Sequence, residues 1–113
     1  MYPLVYHKTL TPEKWAGYSR TQQILSVANE LNRARNALLN NNPQNAVLAW
    51  ERAFELIDMT VEDKKSKPLL KELLRFRELL GEVYLTYDLS SHQKLMKALI
   101  TFDPGAYNAL TDH

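Results

Sequence analysis

Residues 21–61 decide the fold class of this protein, and they read TQQILSVANELNRARNALLNNNPQNAVLAWERAFELIDMTV. On both sides of the link Asn40-Asn41-Asn42-Pro43, apolar residues recur at intervals of three and four positions. That period places them along one face of an α-helix, and an Asn followed by Pro is typical of a helix start. The stretch therefore predicts a helical hairpin.

Each helix of this hairpin has its own apolar stripe. The stripe of the first helix is Ile24, Val27, Ala28, Leu31, Ala34 and Leu38; that of the second is Ala46, Trp50, Ala53 and Ile57, with Val47, Phe54 and Val61 beside it. The second stripe is wide, which predicts that the Trp50 helix lies near the centre of a bundle. The opposite face of the first helix carries Gln23, Glu30, Arg33 and Asn36, which we expect at the surface.

Helix signals continue on both sides of the hairpin. Thr11-Pro12 predicts the start of a short helix, and Ser19 with Gln22 predicts a capping box. Ser66 and Pro68 predict the start of a third long helix, Ser90 or Ser91 caps a fourth, and Asp103-Pro104-Gly105 stops it. We therefore predict a single all-α domain over residues 1–113, with four main helices in two antiparallel hairpins and short helical turns near both ends.

Two segments resemble parts of tetratricopeptide repeats. In residues 42–56, the order Ala46, Trp50, Ala53 is similar to the second helix of such a repeat, and the Leu80-Gly81-Glu82-Val83-Tyr84 sequence resembles the start of another. The resemblance implies stacked helical hairpins and a groove for a partner peptide.

Composition narrows the function classes. The 113 residues carry a net charge of +1, are 45% hydrophobic and 24% charged, and include no cysteine. The absence of cysteine excludes disulfides, thiolate metal sites and a cysteine nucleophile. The sequence contains neither a secretory signal nor an apolar run of about 20 residues, so we expect a cytoplasmic location and no membrane span.

No catalytic motif is present. Histidine occurs only at positions 7, 92 and 113, without the spacing of a metal site, and the three glycines form no phosphate-binding loop. We expect His92 to be a polar residue in the first turn of the fourth helix. The acidic residues read as solvated helix faces. We therefore predict no metal and no cofactor, and an enzyme would require a buried carboxylate.

The predicted function is a small helical interaction module that acts through protein–protein contacts, with self-association as a homodimer. The third helix carries more apolar residues than one stripe needs, which favours such contacts. The predicted interface anchors are Trp50, Phe54, Phe76, Tyr84 and Tyr87. The alternative is a nucleic-acid-associated accessory protein using a basic patch of Lys14, Arg20, Arg33 and Arg35.

Overall fold

The structure is a computed structural model, and it describes residues 10–86 and 89–102. Tyr87, the predicted stop at Asp103-Pro104-Gly105 and the turn expected after it lie outside the described residues.

Every regular element of the described residues is helical, which confirms the all-α class. In chain order the elements are α1 (Pro12–Ala16), α2 (Arg20–Leu39), α3 (Pro43–Glu62), a 3₁₀ helix (Lys64–Leu69), α4 (Leu70–Thr86) and α5 (Leu89–Ile100). Residues 21–61 fall within α2 and α3 and the three asparagines that join these two helices.

The first three helices begin where local side-chain chemistry predicts. The Thr11 hydroxyl accepts a 3.1 Å hydrogen bond from the Lys14 N–H. Ser19 and Gln22 exchange hydrogen bonds of 3.1 and 2.9 Å in a capping box, and the Asn42 side chain accepts a 3.2 Å bond from the Asn45 N–H. These bonds satisfy N–H groups that lack partners within the first helical turn.

The two later helix starts differ from the prediction. Pro68 lies inside the 3₁₀ helix, and α4 begins only at Leu70. The Asp63 carboxylate accepts a 3.1 Å bond from the Lys65 N–H, which starts the 3₁₀ helix earlier in the chain. Helix α5 begins at Leu89, so Ser90 and Ser91 lie inside its first turn and not at the expected cap position.

Small side chains hold α2 and α3 close together. Ala28, Ala34, Ala46, Ala49 and Ala53 are all fully buried. Because alanine adds one methyl group, helices that meet at alanines can approach closely. The bulky part of the core lies around Trp50, also fully buried, while α5 packs on α2 and α4 and α4 packs on α3.

A polar network, here called the clasp, ties α1 to the end of α3. Its members are Trp15, Gln23, Thr60, Asp63 and Lys65. The Trp15 indole N–H donates to the Thr60 hydroxyl at 3.1 Å, and the Gln23 amide donates at 2.8 Å to both the Trp15 carbonyl and the Asp63 carboxylate. The Lys65 ammonium donates to Asp63 and, at 2.8 Å, to the Ala16 carbonyl.

The clasp corrects two expectations from the sequence. Gln23 was expected on the exposed face of α2 but is buried, because Trp15 and Asp63 cover it from two other elements. Asp63 stands in the charged run Glu62-Asp63-Lys64-Lys65, which by itself indicates a solvated turn, but the Asp63 side chain is only 7% exposed. Its burial is compensated by the donors of Lys65 and Gln23.

Candidate functional site

A buried carboxylate holds two arginines at one side of α2 and α3. Glu30 on α2 accepts a hydrogen bond of 2.9 Å from Nη1 of Arg33, one turn further along the same helix. Its other oxygen accepts a 2.7 Å bond from Nε of Arg52 on α3. Since each guanidinium contacts Glu30 through one nitrogen, most N–H donors of both arginines are directed elsewhere.

The position of Glu30 contradicts the sequence expectation. We expected it on the exposed face of α2, yet its side chain is only 8% exposed. The stem of Arg52 crosses from α3 and covers it, while Arg33 stays 64% exposed. A buried carboxylate needs a counter-charge, and here two are supplied. The spacing of Glu30 and Arg33 was visible in the sequence, but no local rule connects Glu30 to Arg52.

The two arginines open onto a polar groove of about 470 Å³, here called the α2–α3 groove. Its other lining residues are Asn36, Asn40, Asn42, Asn45, Ala37 and Leu48. The described lining therefore combines two cations with four amides and includes no acidic side chain. Such a surface can bind an anionic group through the guanidinium groups and neighbouring polar groups through the amides.

The predicted basic patch is dispersed by the fold. Arg20 and Arg33 are thirteen residues apart on α2, which separates them by roughly 20 Å along the helix. Arg20 donates a 3.1 Å bond to the Lys65 carbonyl beside the clasp. Lys14 lies on α1 near that end, whereas Arg33 and Arg35 lie in the second half of α2. Only Arg33 of these residues lines the α2–α3 groove.

The predicted interface aromatics divide between core and surface. Trp50 and Phe76 are almost completely buried, so a partner cannot reach them without repacking of the core. Phe54 and Tyr84 are half-buried, and their rings pack edge to face with 5.9 Å between the ring centres. The Arg77 guanidinium lies 5.3 Å from the centre of the Phe54 ring.

His92 is the buried titratable residue of α5. The side chain is 1% exposed, and neither ring nitrogen forms a hydrogen bond of acceptable geometry with the described residues. Its ring lies 6.4 Å from the Trp50 ring. Burial and the positive charge of Arg35 lower the pKa of His92 more than the neighbouring Leu31 backbone raises it. The sequence placed His92 in the first turn of its helix but contained no signal for its burial.

The described residues contain neither a cluster of metal ligands nor a membrane-spanning helix. Among residues 10–86 and 89–102, no three His, Asp or Glu side chains come together as metal ligands. None of the described helices is both long enough and apolar enough to cross a bilayer. Comparisons with protein-family models, curated proteins and solved structures found no match to this chain.

Proposed function

We propose that this protein is a non-enzymatic helical interaction module that binds an acidic segment of a partner protein in the α2–α3 groove. The observation that carries the proposal is the pair of guanidinium groups held by buried Glu30 at the edge of this groove. A buried anchor on each arginine reduces the conformational entropy lost when a ligand binds. In the same proposal the module works in the cytoplasm.

The lining of the groove favours an acidic peptide as ligand. Arginine binds carboxylates through paired N–H groups, and asparagine amides can both donate to and accept from a peptide backbone. Ala37 and Leu48 add apolar surface for the peptide stem. Nucleic acid is less favoured, because no aromatic ring lines the described groove for base stacking and the chain carries a net charge of only +1.

The proposed architecture agrees with this role. Two antiparallel helical hairpins, as in the tetratricopeptide-like resemblance, expose a surface along their helices that a peptide can occupy. Glu30 serves as the anchor of the arginines in this arrangement, since both of its oxygens accept hydrogen bonds from them. This use of the buried carboxylate supports binding rather than catalysis.

The test is a fluorescence anisotropy titration with labelled probes of equal length: oligoglutamate, oligolysine and oligothymidylate. We expect binding of oligoglutamate only, and Arg33→Gln should weaken it about tenfold, which corresponds to about 1.4 kcal/mol. Arg33 is suited to this test because its side chain is 64% exposed and Arg52 still pairs with buried Glu30 in the variant. Arg75→Gln, which changes an exposed arginine of α4, is the matched control and should bind normally.

Further arms of the titration identify the type of carboxylate and the ligand class. Amidation of the peptide C-terminus separates recognition of the terminal carboxylate from recognition of side chains. Tighter binding of oligothymidylate than of oligoglutamate would contradict the proposal and favour the nucleic-acid alternative. Equal losses in Arg33→Gln and Arg75→Gln would show that the peptide binds through general charge rather than in the groove.

A further inference from the structure

One exposed face of α4 carries four charged residues in a segregated order. Lys71 and Arg75 lie in the first half of the helix, and Glu78 and Glu82 lie in the second half. With 3.6 residues per turn, all four lie within a sector of about 60°. They line a shallow groove of about 580 Å³ together with Leu74.

These charges lack partners in the described chain. None of the four forms a salt bridge or side-chain hydrogen bond there, although Arg77 on another side of α4 pairs with Asp58 at 2.7 Å. Residues three and four apart on a helix are neighbours, so the two basic residues repel each other and the two acidic residues repel each other, while Arg75 and Glu78 attract each other. The face is therefore electrostatically unfavourable in an isolated chain at two places.

A second copy of the same helix relieves both repulsions if it runs in the opposite direction. We place a two-fold axis at the level of the midpoint between Phe76 and Arg77, perpendicular to α4. A residue that precedes this midpoint by a given number of positions then lies level with the residue of the second copy that follows it by the same number. Lys71 then lies at the level of Glu82 of the second copy, about 8 Å along the helix from the axis. Arg75 lies at the level of Glu78 of the second copy, about 2 Å from the axis.

We infer that α4 pairs antiparallel with α4 of a second copy of this chain, through the ion pairs Lys71–Glu82 and Arg75–Glu78, each made twice. A parallel arrangement would place like charges at the same level, so the charge order selects the antiparallel one. Two-fold symmetry also makes the contact self-limiting, as expected of a closed dimer.

Apolar surface beside the charges completes this interface. Leu74 is 45% exposed and Leu85 is 81% exposed, and both lie along the same border of the charged sector. The antiparallel pairing places Leu74 of each copy on the same side as Gly81 of the other, about 3 Å from its level along the helix. A Cβ at Gly81 would meet nothing within 4 Å, so there is space for an incoming leucine. This inference rests on α4 alone and is independent of the α2–α3 groove.

The test is the mass of the full chain by sedimentation equilibrium at low salt, over a range of concentrations. We expect a monomer–dimer equilibrium that weakens at high salt. The double variant Glu78→Arg with Glu82→Lys makes the face entirely basic, and Lys71→Glu with Arg75→Glu makes it entirely acidic. Each should weaken self-association by at least about tenfold, and mixing the two should form a heterodimer.

The quadruple variant with all four charges reversed separates this geometry from general charge effects. It restores opposite charges in the antiparallel pairing and should therefore dimerise like the wild type. Lys94→Glu with Lys97→Glu, two exposed residues of α5, is the control and should leave self-association unchanged. A wild-type chain that stays monomeric at every concentration, or a quadruple variant that fails to dimerise while keeping its helical circular dichroism, would overturn the inference.

Discussion

The clasp and the His92 contact are two buried polar regions of the same core, and they differ in how many of their polar atoms have partners. In the clasp, Trp15, Thr60 and Asp63 all have hydrogen-bond partners on other elements, and the Gln23 side-chain oxygen is the one buried clasp atom that has none among the described residues. At His92 the ring is equally buried and packs against the Trp50 ring, and neither ring nitrogen forms a well-aligned hydrogen bond within the described part of the chain.

The difference shows that burial of a polar group does not by itself indicate a stabilising contact. A net hydrogen bond contributes roughly 0.5–1.5 kcal/mol, whereas a buried polar group without a partner costs about 1–3 kcal/mol. The clasp should therefore stabilise the position of α1, while His92 lowers the stability of the α5 contact. Four substitutions test this contrast, in order of decreasing expected effect.

Trp50→Ala should destabilise the fold most, because it removes the apolar surface on which His92 packs as well as the centre of the α2–α3 core. We expect a loss of roughly 3–5 kcal/mol in the free energy of unfolding, measured by urea denaturation. Tyr18→Ala is the comparison, since Tyr18 is 40% exposed and should have a much smaller effect. Similar losses for the two variants would contradict the central position of Trp50.

Asp63→Ala should break the clasp. It removes one of the two acceptors of the Gln23 amide and leaves the Lys65 ammonium with only the Ala16 carbonyl as an acceptor among the described residues, so we expect a loss of about 1–3 kcal/mol. Asp58→Ala is the matched control: Asp58 pairs with Arg77 in a more exposed bridge, and its loss should cost under about 1 kcal/mol. Equal losses of stability in Asp63→Ala and Asp58→Ala would show that the clasp stabilises the fold no more than an exposed ion pair does.

The pH dependence of the stability of Asp63→Ala, compared with that of the wild type, tests whether the Asp63 carboxylate stabilises the clasp in its ionised form. Burial raises the pKa of Asp63, but the hydrogen bonds from Lys65 and Gln23 together lower it by more than burial raises it. The folded-state pKa therefore lies below the ordinary value of 3.8. A lowered carboxyl pKa contributes stability above the unfolded-state pKa, and this is lost as the pH falls through the folded-state value. The difference in the free energy of unfolding between the wild type and Asp63→Ala should therefore be smaller at about pH 3 than at about pH 7.

His92→Leu should have the opposite sign. Replacing an unsatisfied buried imidazole by an apolar side chain of similar size should leave stability unchanged or raise it by about 1 kcal/mol. The pKa of His92 is lowered in the folded state, so the unfolded chain takes up a proton more readily than the folded chain as the pH drops below the ordinary value of 6.5. The free energy of unfolding therefore falls below that pH. Urea denaturation at about pH 8 and about pH 5 should show this loss in the wild type and less of it in the variant. A large destabilisation of His92→Leu at the higher pH would show that the ring has a stabilising partner.

Arg35→Ala should have the smallest effect on stability, within about 0.5 kcal/mol, because the side chain is exposed. Removal of its positive charge should raise the pKa of His92, since that charge lowers it. An NMR titration of the His92 ring measures this shift, with Arg75→Ala on α4 as the control. A pKa unchanged by Arg35→Ala would leave burial as its cause.

Local sequence signals predicted the starts of the first three helices and much of the core well. Thr11, Ser19 and Asn42 cap the helices that follow them because a side-chain oxygen three residues before a free N–H needs no tertiary contact to bind it. Ala28, Ala34, Ala46 and Ala53 were similarly readable, because the helical period places them on the apolar stripes, whereas buried Ala49 was not predicted.

The candidate sites were less predictable. Glu30 and Arg52 are 22 positions apart, and Gln23 and Asp63 are 40 positions apart. No period or spacing rule relates such residues, so their burial depends on how α3 and the end of α1 lie against α2. Conversely, the sequence predicts Trp50 and Phe76 as interface anchors, but both side chains are buried in the core.

The amino-acid sequence by itself determined the helical class, the caps and the apolar stripes, because these depend on contacts between residues within a few positions of one another. Only the tertiary structure decided which polar side chains are buried, which of them have partners, and which arginines meet at one groove. The physical reason is that burial and ion pairing in this protein are set by neighbours from other helices, whose approach is governed by the packing of the whole core.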